Sequence, residues 1–408
     1  MSEIAENSSS VIDLRKNRLR RHLIKELYKT HTTSINKLSR LFHSSIPSAT
    51  GIVNEMQREG WVIEKGIGTA KAGRPPVLYG LNSSKKVTLL LDINRNEANF
   101  FVMDLSNEIL HKRQLVLHLE NTPAYMARLV GELDDFFSQL PIPHSRFWGI
   151  GISMPGLISS PQGLNQSYRE LVPDGTSLTG YISGRYKMPV RIINDTHATA
   201  FGEYRFGLAK KFRHVLTINI DWGVGLGILL DGEVFGGSRG FAGELGHIQA
   251  KADGVLCECG KIGCLDTLTS AVALIRQAQE GIAKGTATLL TKLTANDPAS
   301  LSAGHIIKAV RMGDGFSIDL VSNLGTELGK GLAIAVHLFN PEVIIVTGVL
   351  AQADSFITNP IEQAINRYCL GDFRNDLKIK ISELGAKARL LGCQAYLIDY
   401  LADEEFRD

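Results

Sequence analysis

One imidazole and three thiols crowd a short stretch of this chain. Gly246-His247 is followed by Cys257-Glu258-Cys259 and then, past Gly260 and Gly263, by Cys264. Four such donors complete a tetrahedral shell around Zn²⁺ and leave no open position for water, so the spacing predicts a structural zinc rather than a hydrolytic one. Gly260 and Gly263 suit a tight knuckle, whose backbone angles a Cβ resists. Five cysteines in 408 residues do not make a disulfide framework. Buried free thiols are the plainer alternative for the cluster, and Cys369 and Cys393, which stand alone, read as core residues.

A second chemistry sits near the start. Residues 1–82 carry thirteen Lys/Arg against seven Asp/Glu, a balance of +6 in a chain whose total is only +2. Basic charge at one end points to nucleic acid for that end alone. A helix predicted over residues 46–59 turns Ala49, Ile52, Val53 and Met56 to one side and Pro47, Ser48, Thr50, Gly51 and Asn54 to the other, with Ser45 in the turn before it. Small side chains of this kind let a helix come close to base edges in a major groove. Lys65, Lys71 and Arg74 add cations for phosphates or a narrow minor groove. A helical interaction module with a solvated basic face is the alternative.

These residues need elements to position them. Leu19, Leu23 and Leu27 repeat at helical spacing within residues 17–28, and Thr33 or Ser34 is placed to cap a short helix through Ile35, Leu38 and Leu41. With the helix over 46–59 this makes a helix-turn-helix, and runs at 61–65 and 77–81 read as the strands of a wing turning through Gly73-Arg74-Pro75-Pro76. From Val87 onward the texture is α/β. Strands are predicted at 87–93, 100–105, 148–153, 190–193, 215–220 and 343–346, and helices at 126–140, 198–206, 270–283, 316–338 and 386–401. At about 150 residues per domain the length suggests two or three folded units. Hydrophobic residues at 44% and charged residues at 21% are ordinary for globular chains and exclude long disorder or coiled coil. Residues 1–10 are polar and acidic, unlike a signal peptide, and no run reaches the roughly 18 apolar residues of a membrane span, so a cytoplasmic protein is expected.

The run Gly243-Glu244-Leu245-Gly246-His247, then Cys257-x-Cys259-Gly260-x-x-Gly263-Cys264-Leu265-Asp266, resembles the signature of the ROK family of bacterial sugar kinases and transcriptional repressors. Met154-Pro155-Gly156, Asn194-Asp195, Gly223-Val224-Gly225 and Asn340-Pro341-Glu342 agree in order, so the resemblance covers residues 87 to about 400. A winged helix ahead of such a core is similar to the repressor branch of NagC and Mlc type. The resemblance implies an actin-like (ribonuclease H-like), two-lobed α/β fold with a sugar between the lobes. It implies a winged-helix unit over 1–82, a first lobe over 83–200 completed by 386–408, and a second lobe over 201–385 that holds the zinc.

Carried over by position, Asn194, Asp195, Glu244, His247 and Asp266 become partners of sugar hydroxyls, Asp195 matching the catalytic base of the kinases. At the last position the family usually has Glu, one methylene longer than Asp266. His247 would hold zinc through one ring nitrogen and a hydroxyl through the other. The nucleotide half departs from the kinase pattern. Asp-x-Gly-Gly-Thr reads Asp92-Ile93-Asn94-Arg95-Asn96, Gly-Thr-Gly-Val-Gly reads Asp221-Trp222-Gly223-Val224-Gly225, and Thr347-Gly348-Val349 replaces a glycine run. A carboxylate facing nucleotide phosphates is unfavourable by about 1 kcal/mol even in water at 4 Å. The expectation is a non-enzymatic repressor of sugar-metabolism genes that binds double-stranded operator DNA as a homodimer or homotetramer and responds to a sugar or sugar phosphate. A repressor titrated by a protein partner and an active kinase are the alternatives.

Overall fold

The structure, a computed structural model, describes residues 11–69 and 74–407. Lys71 and Gly73 of the wing lie outside them. The N-terminal helix runs Val11–Thr30, and Leu23, Ile24, Leu27 and Tyr28 on its inner stripe are buried. Ser34 caps Ile35–Leu41 by accepting from the Lys37 amide, and Ser45 caps Ile46–Arg58 by accepting from the Ser48 amide, with Pro47 in the first turn. Val62–Ile67 pairs antiparallel with Val77–Leu81, and Thr33–Ser34 adds a short third strand. The first wing strand was expected at 61–65. It starts one residue later because Trp61 turns inward, 3% exposed, to pack against Trp148 at 4.9 Å between ring centres.

The rest of the chain repeats one plan twice. Val87–Ile93, Glu97–Asp104 and Ile109–Val116 form an antiparallel meander, and Phe147–Met154 and Val190–Asn194 extend it with parallel strands beyond Val87–Ile93. Likewise Val215–Ile220, Val224–Leu230 and Glu233–Val234 form a meander, extended in parallel by Val343–Thr347 and Lys378–Ile381. Two five-stranded sheets of equal topology are the core of a two-lobed, ribonuclease H-like fold. Ile109–Val116, which was not anticipated, is an edge strand exposed along one face, and its interrupted Leu-His-Lys-Arg-Gln run hides the strand signal.

Helix Asp195–Phe206 crosses helix Lys387–Glu405 with almost no space between the backbones. A Cβ on Gly202 would lie 1.9 Å from the Ala388 carbonyl oxygen, and one on Gly392 would lie 1.7 Å from that of Ala198. Only glycine allows this approach. The far end of Lys387–Glu405 grips the N-terminal unit. Lys25 Nζ pairs with Asp403 at 2.7 Å, Arg21 donates to the Phe406 carbonyl at 2.8 Å, and Arg20 lies over the Phe406 ring at 5.2 Å. Among the described residues no helix is long and apolar enough to cross a membrane.

Candidate functional site

The ligand atoms of His247, Cys257, Cys259 and Cys264 all lie within 4.8 Å of one another. Cys259 Sγ is 3.6 Å from Cys264 Sγ, and Cys257 Sγ is 3.7 Å from His247 Nδ1. Bond lengths of about 2.3 Å to sulfur and about 2.1 Å to nitrogen around a tetrahedral ion give donor separations of about 3.5–3.8 Å, so the donors present fit Zn²⁺. The knuckle is built locally: Cys257 N bonds to Lys261 O, Gly260 N to Cys257 O, and Gly260 and Gly263 take positive φ of 85° and 74°. Gly263 has a second reason, since a Cβ there would meet the Lys251 carbonyl at 1.6 Å.

His247 presents Nδ1 to the thiols and Nε2 to Glu244 Oε2, 3.7 Å away, and both side chains are 41% exposed. Asp195 opens its helix beside Asn194. The two differ in availability. Asn194 is the N-cap, its Oδ1 accepting from the Thr196 and His197 amides at 2.9 and 3.1 Å and its Nδ2 donating to the Gly156 carbonyl at 3.1 Å. Asp195 spends one oxygen on the Thr196 amide at 2.7 Å. Its charge still reaches Glu244, whose carboxyl is pushed up first by burial and further by Asp195. Asp266 accepts from the Val224 amide at 2.7 Å, so its shorter side chain props the turn Asp221-Trp222-Gly223. The structure therefore gathers Asp195, Glu244 and His247 with open polar atoms and gives Asn194 and Asp266 backbone partners.

The loop over 161–175 had no readable fold. It forms a small hairpin, Ile158–Ser159 with Leu164–Asn165, then a short turn of helix at Arg169–Leu171. Asn165 holds the turn after Met154 by donating to the Pro155 carbonyl at 2.9 Å. Burial pushes the Tyr168 phenol up, Arg95 opposing and Asp195 adding to the shift.

The turns expected to match the kinase phosphate loops are closed on themselves. Asn94 Oδ1 accepts from the Asn96 and Glu97 amides at 2.8 and 2.9 Å. Arg95 forms a two-bond pair with Glu258 of the zinc knuckle. Asp92 is paired with Arg389, which sequence reasoning missed. The signal available was one arginine between Ala388 and Leu390, in the apolar first half of its helix.

On the N-terminal unit, Ser45, Pro47, Gly51 and Asn54 are exposed, and Ser48 and Thr50 are half-buried. Thr50 donates its hydroxyl to the Ile46 carbonyl at 2.8 Å, leaving mainly its methyl group for contact. Arg74 is exposed at the described edge of the wing.

The ROK family model matches residues 88–399, and the chain belongs to the ROK family. It is 28% identical over 387 residues to the xylose repressor of Bacillus subtilis (strain 168), covering 93% of this chain and 95% of that one. A solved ROK family transcriptional regulator, described as a homologue of the Escherichia coli Mlc protein, aligns with 97% of this chain and 99% of its own at a TM-score of 0.79 and 30% identity. A ROK family glucokinase from Streptomyces griseus, solved with glucose and AMPPNP, covers 76% of this chain at a TM-score of 0.66 and 27% identity.

Proposed function

We propose that this chain is a DNA-binding transcriptional repressor of sugar-metabolism genes whose operator affinity is set by a sugar or sugar phosphate held between the lobes. The observation that carries the reading is the union, in one chain, of a winged helix with an open polar face and a kinase-type cleft whose sugar-facing groups stay available. Similarity to a named repressor along nearly the full length supports it. Ser45, Pro47, Ser48, Thr50, Gly51 and Asn54 would face the major groove, and Lys71 and Arg74 the backbone or minor groove. A cytoplasmic homodimer or homotetramer on a near-palindromic operator follows from the symmetry of such complexes.

In this reading residues 1–82 read DNA, 83–200 with 386–408 form the first lobe, and 201–385 form the second. Helix Asp195–Phe206 spans the division at 200, packing against Lys387–Glu405 on one side and, through Thr196 and Ala200, against Gly225 and Gly227 of the second sheet on the other. His247, Cys257, Cys259 and Cys264 would hold zinc and so fix the His247 ring, leaving Nε2 for a hydroxyl. Closed phosphate turns at Asn94 and Asp221, together with the Asp92–Arg389 pair, support a protein without kinase activity.

The effector acts through its differential affinity for the operator-bound and free arrangements. The test is release from operator DNA, followed by gel shift over a sugar panel. Asp195→Asn is expected to keep operator affinity and lose release, and equal release from both proteins would remove Asp195 from the sensing site.

A further inference from the structure

We propose that Arg389 is a resident counter-ion filling the phosphate side of the cleft, and that the effector is therefore an uncharged sugar rather than a sugar phosphate or a nucleotide. This rests on the reading of the cleft as an effector site and narrows its ligand class.

Arg389 lies on the first turn of helix Lys387–Glu405, between Ala388 and Leu390, both buried, and its own side chain is only 15% exposed. The guanidinium is ion-paired with Asp92: Nη2 donates to Oδ2 at 2.8 Å, and Nε lies 2.7 Å from Oδ1 without hydrogen-bond alignment. Pairing with an oxyanion is also how an arginine recognises a bound anion. Here the anion is part of the chain. Asp195 and Asp221 also act on Arg389 electrostatically, so one cation faces three carboxylates. Asp92 lies near the end of Val87–Ile93 in the first sheet, and Asp221 follows Val215–Ile220 in the second. The guanidinium thus sits where the carboxyl ends of the two sheets converge, the place at which open α/β sheets take ligands.

A phosphate brought here would have to displace Asp92 or settle against Asp195 and Asp221. Arg95 offers no substitute while it is held by Glu258, and His247 belongs to the metal set. The groups left with open polar atoms, on Asp195, Glu244 and His247, suit hydroxyls. A neutral polyol satisfies them, whereas a phosphate ester would add charge of the wrong sign.

The experiment is calorimetry on the full zinc-loaded protein with a panel of neutral aldoses and ketoses, the phosphate ester of each, and ATP. At least one neutral sugar is expected to bind, with its phosphate ester weaker by about thirtyfold or more, the size of two unfavourable unit-charge contacts in water at about 4 Å. An ester that binds as well as its parent would overturn this inference and leave the repressor reading standing, while silence from every compound would remove both. Asp92→Asn supplies a second readout, because it frees the guanidinium without removing it. Inorganic phosphate should bind this variant about tenfold more tightly than wild type, and an unchanged affinity in a folded variant would also overturn the assignment.

Discussion

The two sides of the cleft differ in where their polar groups find partners. On the phosphate side Asp92 is taken by Arg389, Arg95 by Glu258, and Asn94 by the amides of its own turn. On the side proposed for sugar, Glu244 and His247 are 41% exposed and His247 Nε2 faces Glu244 at 3.7 Å, while Asp195 has one oxygen free of its helix amide. A side that satisfies itself is costly to open, because any visitor must replace bonds already made. A side with unspent acceptors discriminates instead, since a ligand lacking the matching hydroxyl leaves them unpaired. Internal partners alone thus make the two sides differ, although the two sheets share one topology.

The strongest way to break this contrast is to remove a ligand of the proposed zinc, which would fix the His247 ring. Cys259→Ser should take the zinc content from about one per chain to near none. Elemental analysis checks it, and an unaltered content would refute the ligand set. Arg389→Met leaves Asp92 without its partner in a largely buried place and should cost about 3–5 kcal/mol of folding stability by urea titration. The double change Asp92→Leu with Arg389→Met should recover a large part of that loss, which separates pairing from packing. Asp195→Asn should weaken release from the operator by about a hundredfold, near 2.7 kcal/mol, while the unfolding midpoint stays close to wild type. Ser45→Ala touches neither side of the cleft and should cost about 1 kcal/mol as a lost helix cap, with sugar affinity unchanged.

Legibility in the sequence followed distance along the chain. The clustering of His247 with the three cysteines was readable because all four donors fall within residues 247–264, and spacing alone constrains so short a segment. The helices of the N-terminal unit were readable for the same reason, Ser34 capping only three residues ahead, while the cap at Ser45, read only as turn, emerged from the structure. Arg389 and Asp92 are 297 residues apart, and no periodicity joins them. Trp61 looked like strand because an apolar residue before Val62 and Ile63 fits a strand, yet its partners Trp148 and Phe406 arrive from remote parts of the chain. The shortened Asp266 was noticed, but its bond to the Val224 amide depends on a turn that only the folded lobe creates.

The chain has three tryptophans, and their placement gives the molecule built-in optics. Trp61 and Trp148 are tilted against each other and buried where the N-terminal unit meets the last helix, whereas Trp222 is 40% exposed in the turn beside Asp221. Emission from the buried pair should track any swing of the N-terminal unit, and quenching by dissolved iodide should be confined to Trp222. A single unlabelled sample can therefore show whether a ligand's arrival and the head's response occur together or one after the other.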